Sequence, residues 1–438
     1  MMKILKFGGT SVGSAERMRS IMKLITDKEP KIVVLSAMAG TTNKLAEISD
    51  FLHKKNYDTA NELISKLEDV YSAVINELYK KEEFKTHAKK IITGIFNLMK
   101  AQVGIDFTDK NERIILAQGE IMSTNLFVLM LKEEGIKVEL LPALEYMRTN
   151  QHSEPDYPYI KTMLEKLLSV HKDKSLFVTQ GYICMNTANE IDNLKRGGSD
   201  YSASIIGAAV NASEIQIWTD IDGMHNNDPR FVEKTHSIKY LSFEEASELA
   251  YFGAKILHPS SIIPAMMSNI PVVLKNTMDP TAKGTTINKD PDKKGIKAIA
   301  AKDGITMIKI KSTRMLLAYG FLKKVFEIFE RFKTPIDMIT TSEVGVSVTI
   351  DNTQHLNDIS EELKKFCSIE IATDQTIICM VGYAILENGD ISQKIFTALK
   401  GIPLQMISYG GSTHNISVLI DTPRKKEALV ALNHHIFF

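Results

Sequence analysis

The chain opens on a short apolar run, Ile4 to Phe7, that is cut at once by Gly8-Gly9. Beyond Thr10-Ser11, polar and apolar positions fall into a helical period from about Ser14 to Thr26. Lys31 to Leu35 repeats the strand pattern, and Ser36 to Asn43 is a small-residue loop that opens another helix. From Lys44 to Met99 apolar residues recur three and four apart (Leu63, Leu67, Val70, Val74, Leu78), which predicts helices and no sheet. Glu112 to Gly135 continues as helix, and Val138 to Leu141 is a short strand before a long loop. Leu176 to Cys184, Glu214 to Thr219 and Pro271 to Lys275 read as further strands. Strands alternating with helices over 1–290 predict a mostly parallel sheet between helices.

A polar stretch from Asn288 to Gly295 reads as a linker, and beyond it the pattern changes. Strands, a helix, two strands, a helix and a strand follow, and most of the unit then recurs. PIDMITTSEVGVSVTID in the first copy lies over PLQMISYGGSTHNISVLID in the second. The tail is therefore two small βαββαβ units, 291–373 and 374–438. The second copy stops after its last helix, one strand short. The apolar segment Ile296 to Ala301 lies before the first copy with no evident partner, and sheet edges need pairing or cover. We expect 296–301 to supply the missing strand of the second sheet.

Composition adds bounds. Apolar residues make up 44% and charged residues 24% of the 438, ordinary for a globular protein with two or three domains. The 53 basic and 53 acidic side chains cancel, so no global field argues for nucleic acid or an anionic membrane. The three cysteines, Cys184, Cys367 and Cys379, have no metal-type spacing and suit a reducing compartment. No leader segment or apolar run of membrane-spanning length is apparent, and a cytoplasmic location is expected.

The candidate chemistry sits just after strands, where open α/β sheets bind ligands. In KILKFGGTSVG a strand runs into glycines and a helix N-terminus, with Lys6 at the strand end. Such a loop suits phosphate, because glycines admit close approach and helix-start amides point at the anion. The bland alternative is a buried strand with a tight turn. It is neither a Walker A loop nor a GxGxxG fingerprint. A second glycine pair appears in NLKRGGSDYSA, followed by Ser199-Asp200 and a small-residue helix.

KFGGTSVG, LSAMAGTTN, QGE, KRGGSDYSA, WTDIDG, DPR and GAKILHP occur in this order, then GFL and IDMITTSE within the tandem repeats. In that order they resemble the aspartokinase family over essentially the whole chain. The resemblance implies an amino-acid-kinase fold followed by two ACT domains. It also implies ATP-dependent phosphorylation of the L-aspartate side chain, the first step toward lysine, threonine and methionine. IDMITTSE is most similar to the lysine-sensitive type with a single activity.

Phosphoryl transfer asks mainly for positioning and charge neutralisation, and a carboxylate nucleophile needs no general base at neutral pH. Lys6 would stabilise the phosphoryl group in flight, with Gly8, Gly9 and Thr10 as donors. Asp200 resembles the family's catalytic aspartate and would orient Lys6 and a hydrated Mg²⁺, for which no direct protein ligand is assigned. By the family pattern Arg196 grips a substrate carboxylate, Glu120 faces its ammonium, Ser36, Thr42 and Ser199 donate hydrogen bonds, and Tyr182 forms a wall. Thr219, Asp220, Arg230 and Lys255 would meet the nucleotide, with His225 where the family usually has tyrosine. Lys195 also stands where glycine is usual, which bears on the local backbone. His258 packs or caps near Pro259. An amino-acid effector, by resemblance lysine, would meet Met315, Gly320, Phe321, Leu322, Asp337, Thr341, Ser342 and Glu343 where ACT units pair between subunits. Asp337, facing amides around Phe321, suits its cationic tail. A homodimer through the ACT domains is expected, with pairing of dimers open. The competing readings are a non-catalytic amino-acid sensor, an ACT tail that only dimerises, and a sibling kinase of glutamate, acetylglutamate or UMP.

Overall fold

Lys3–Phe7 forms β1, with Ile4, Leu5 and Phe7 buried, and it pairs in parallel on both sides. The structure is a computed structural model that describes residues 2–438 except 196, 254–256, 291–293, 312–318 and 388. Two compact units make up the chain: 1–224 with 239–243 and 257–290, and 225–238 with 244–256 and 291–438. A single cut at residue 290 would assign 225–238 and 244–256 differently.

In the first unit β1 is followed by α1 (Ala15–Ile25), β2 (Lys31–Leu35), α2 (Thr41–His53), α3 (Tyr57–Leu78), α4 (Glu82–Lys100) and α5 (Asp109–Glu133). Next come β3 (Glu139–Leu141), α6 (Ala143–Tyr146), α7 (Tyr157–Val170), β4 (Leu176–Gln180), β5 (Ile183–Met185) and β6 (Ile191–Asn193). Then follow α8 (Gly198–Ala209), β7 (Glu214–Thr219), β8 (Tyr240–Ser242), α9 (Phe243–Tyr251), α10 (Pro259–Met267), β9 (Val272–Asn276) and β10 (Thr285–Asn288). From Glu244 onward α9 belongs to the second unit.

Eight strands form the main sheet in the order β3-β4-β2-β1-β7-β9-β10-β8, parallel except where β9 meets β10. Its central strands β2 and β4 are buried at every position, as strands covered on both faces should be. The run from Leu176 to Cys184 is not one strand. It breaks at Gly181, where a Cβ would lie 2.4 Å from that of Ser199, and Tyr182 follows at a φ of +67°.

Helices α2 to α5 pack Leu45, Ile64, Tyr71, Phe96 and Leu126 into one core with Phe7 and Leu35 of the sheet. By length and composition α5 could cross a membrane, contrary to the expectation from sequence. Its apolar window is 78% buried inside the fold, so it is apolar all round because it is a core helix.

The second unit continues with β11 (Gly295–Lys311), α11 (Phe321–Arg331), β12 (Ile339–Thr341), β13 (Gly345–Ile350), α12 (Leu356–Lys364) and β14 (Ser368–Tyr383). It ends with α13 (Gly389–Ala398), β15 (Met406–Tyr409), β16 (Asn415–Asp421) and α14 (Lys425–Phe437). Six strands form one sheet, β12-β13-β11-β14-β16-β15. The two long strands each serve both repeats. Thr306 to Lys311 pairs with β13 and, in large part, with 368–372, whereas Ala298 to Lys302 pairs with Val381 to Ile377 of the second repeat. Register shifts around Ile305 separate the halves, with Gly304 and Asp374 at positive φ. Two apolar clusters result, one around Val325, Val346 and Ile359, the other around Ile378, Ile395 and Leu429.

Candidate active site

Lys6 is near the end of β1, between Val34 of β2 and Ile217 of β7. Its Nζ lies 2.7 Å from Oδ1 of Asp200 in the first turn of α8, with the two side chains 12% and 17% exposed. Such a buried ion pair repays its desolvation only with good geometry and further hydrogen bonds. The loop after β1 is held by the Gly8 amide, which donates to the Trp218 carbonyl at 3.3 Å, and by Ser11 and Val12 donating back to Gly8. Among the described residues the Gly9, Thr10 and Gly13 amides make no backbone hydrogen bond, and the first two follow directly on the strand end. Trp218 stacks on Phe7 with ring centroids 5.6 Å apart, and the Lys275 ammonium lies over the indole.

Beside this pair is a cavity of about 390 Å³. Ser36, Thr42, Glu120, Tyr182 and Ser199 line it, together with Gly9 and Gly198. Five residues scattered over more than 150 positions thus face one space. Ser36 donates to Ser199 across 2.9 Å, and the Tyr182 amide donates to Ser202 of α8 at 2.8 Å. Asn43, Met38 and Ala39 also line the cavity. Met38 and Ala39 stand in the loop after β2 and Asn43 in the first turn of α2, but nothing in their own residue types points to a ligand.

Glu120 is the unusual group. Its side chain lies inside α5, it is 3% exposed, and Oε2 has no hydrogen-bond partner among the described residues. Burial pushes its carboxyl up to about 7, against the opposing pull of the Ala37 backbone and the Lys6 charge. An orphaned buried carboxylate is costly unless a cation meets it. Tyr182 is itself raised by burial and by Glu120.

Of the remaining candidates, Thr219 ends β7 and donates its hydroxyl to Asp220 at 3.1 Å. His225 and Arg230 belong to the second unit. There His225 bridges to Ser237, and the exposed Arg230 guanidinium is clasped by Asp228 at 2.7 Å. Arg196, Lys255 and Met315 lie outside the described residues. His258 caps α10, its Nδ1 accepting from the Ser260 amide at 3.2 Å. Lys195 adopts a φ of +53°, the conformation its glycine alternative would take without strain. Lys195→Gly should therefore raise stability by about 0.5–1 kcal/mol, read as a higher urea midpoint with unchanged slope.

In the second unit, Gly320 N-caps α11, placing Phe321 and Leu322 in its first turn. Thr341 ends β12, and Ser342 donates its amide to the Gly345 carbonyl in the turn holding Glu343. Asp337 does not take its described hydrogen bonds from that helix. Its Oδ1 accepts from Lys302 Nζ at 2.8 Å and from the Tyr251 hydroxyl at 2.9 Å. Sequence did not mark Lys302, Tyr251 or Asp351: the first two lie outside any motif, and Asp351 only closes the first repeat's match.

A phosphate-type loop, an ion pair at its strand end and an amino-acid-sized cavity define an α/β kinase of small carboxylic acids with an appended regulatory sheet. The amino acid kinase family matches residues 1–276, and the ACT domain matches residues 378–436. Aspartokinase 3 (chloroplastic) of Arabidopsis thaliana is 37% identical over 463 residues, covering 99% of this chain and 81% of the plant protein. The crystal structure of E. coli aspartokinase III in complex with aspartate and ADP (R-state) aligns over all of both chains, with a TM-score of 0.87 and 31% identity. The same enzyme with lysine and aspartate (T-state) gives 0.83 and 30%, again over all of both chains. The chain belongs to the aspartokinase family.

Proposed function

We propose that this chain transfers the terminal phosphoryl group of ATP to the side-chain carboxylate of L-aspartate, giving 4-phospho-L-aspartate, under feedback inhibition by lysine. The observation that carries the reading is the buried Glu120 carboxylate, its Oε2 unpartnered among the described residues, in a cavity that adjoins the Lys6–Asp200 pair. Glu120 receives the substrate ammonium, while the Ser36 and Ser199 hydroxyls and Arg196 bind its carboxylates. Tyr182, fixed through its amide by Ser202, closes one side.

Aspartate is ionised at neutral pH and attacks without a base. The Gly9 and Thr10 amides and the Lys6 ammonium neutralise the charge that spreads over the phosphoryl oxygens. Asp200 holds Lys6 in line. In the first unit the nucleotide contacts fall to Thr219 and Asp220. Mg²⁺ bound to the nucleotide would neutralise its phosphates. Asp200 is committed through Oδ1 to Lys6, which fits a cation held mainly by phosphates and water rather than by a protein cage. We take 1–290 as catalytic, 291–373 and 374–438 as the ACT domains, with Asp337 as the carboxylate that meets the effector's side-chain ammonium. The assembly proposed is a homodimer through the ACT units, and the location cytoplasmic.

The test is ADP release measured with aspartate, with glutamate and with no acceptor, titrated with lysine and with threonine. Aspartate-dependent turnover inhibited by lysine is expected. Folded protein without such turnover would leave the non-catalytic sensor as the better reading. Inhibition by threonine alone would reassign the effector.

A further inference from the structure

Asp337 is contested within its own chain. Its carboxylate is 1% exposed, and Oδ2 has no partner among the described residues. Oδ1 is held by two groups from separate elements, the Lys302 ammonium of β11 and the Tyr251 hydroxyl at the end of α9. Lys302 also lies 2.9 Å from Asp351 and 4.6 Å from the centre of the Tyr251 ring. Among the described residues the cluster therefore sets two carboxylates against one ammonium. Burial raises Asp337 above the usual carboxylate range, although Lys302 and Tyr251 pull it down.

The arrangement reaches further through α9. Glu245 pairs with Lys297 of β11 at 2.9 Å. Glu248 accepts from Ser412 at 2.9 Å and from Asn415 at 2.5 Å. Residues 245, 248 and 251 are three apart and share one helical face, so each turn of α9 is fastened to the regulatory sheet. Two residues past Tyr251, Gly253 lies so close to the Ala301 carbonyl that a Cβ would meet its oxygen at 2.3 Å. Lys255, proposed above for the nucleotide, follows two residues later.

We propose that Lys302 is a tethered competitor for the effector's ammonium, and that Tyr251 couples the outcome of that competition to α9. The inference rests on Asp337 being the effector's carboxylate. Because the side chain is 1% exposed and both groups hold Oδ1, an external ammonium gains the whole carboxylate only in exchange for Lys302 or Tyr251. Lys302 can fall back on Asp351, whereas Tyr251 has no second carboxylate among its described hydrogen bonds. Contacts that exist only in the displaced arrangement oppose effector binding, so removing either one favours the bound state. Lys302 and Tyr251 act as positioning residues.

The experiment is calorimetric titration of the full-length chain with L-lysine, with melting temperature as the check on folding. Lys302→Met should bind lysine about tenfold more tightly, and Tyr251→Phe about threefold more tightly, as expected for losing hydrogen bonds to a charged group. Lys302→Arg keeps a tethered cation and should stay near the wild-type affinity. A merely structural role for either residue would weaken binding, not tighten it. Unchanged or weaker binding by Lys302→Met, with binding abolished in Asp337→Asn, overturns the competition and leaves the effector assignment standing. Wild-type binding by Asp337→Asn overturns the assignment and the competition with it. If Lys302→Met does not fold, Tyr251→Phe decides by the same sign.

Discussion

Lys6→Met should lower kcat by about 10²–10³-fold and leave the KM for aspartate within about twofold, the pattern for losing a charge that acts on the transition state. The reason lies in how Lys6 is placed. Its strand is the centre of the sheet, so the backbone cannot shift to let another group substitute. Its ammonium is nearly buried against Asp200, so losing it also leaves the Asp200 charge uncompensated beside the incoming phosphates. Two effects thus combine in one substitution, and a double-mutant cycle separates them. Asp200→Asn added to Lys6→Met should cost less than Asp200→Asn alone, because the aspartate then has no lysine left to orient. Steady-state kinetics on the three variants checks this. Full additivity would mean that Asp200 acts independently of Lys6.

Glu120→Gln should raise the KM for aspartate by about 10²-fold with a smaller change in kcat, the cost of leaving a charged partner unmatched in a buried site. The wild-type pH profile offers an independent check. With its carboxyl at about 7, Glu120 is protonated below that pH and ionised above it. Only the ionised form attracts an ammonium. Hence kcat/KM for aspartate should fall as pH drops through about 7, tending toward tenfold per pH unit. Once aspartate is bound, its positive charge pulls the carboxyl down, so kcat at saturation should be flatter over the same range. In Glu120→Gln the acid limb of kcat/KM should vanish. Persistence of that limb would place the titrating group elsewhere.

Both substitutions fall on residues legible in the sequence, but for different reasons. Lys6 announces itself, because a lysine at the end of an apolar run before Gly8-Gly9 has a local meaning. Glu120 does not. It sits in a long helix where a carboxylate is ordinarily solvated, and only the QGE motif within the family resemblance drew attention to it. What sets its chemistry is burial inside α5, which depends on α2, α3 and α4 packing around that helix.

The same burial explains why α5, alone among the described helices, matched a membrane span in length and apolarity. Local apolarity reports that a helix is covered, not what covers it. The strand from Leu176 to Cys184 failed at Gly181 for a related reason. Its break is imposed by Ser199 arriving from α8, a neighbour that no local pattern reveals.

The alternating pattern by itself determined the class of fold, the two repeats, and the loops beyond strands where chemistry gathers. Strand and helix periods are short-range consequences of backbone geometry, and glycine pairs mark turns wherever they occur. Tertiary structure alone decided which loops share a cavity, and how far Glu120 is shifted. It also decided that Asp337 is held by Lys302 and Tyr251. Those facts depend on contacts between residues 35 to 194 positions apart in the chain, and on a cavity whose lining runs from Gly9 to Ser199. Burial and the pairing of charges are properties of the packed chain. They arise only once distant segments have excluded water from the same place.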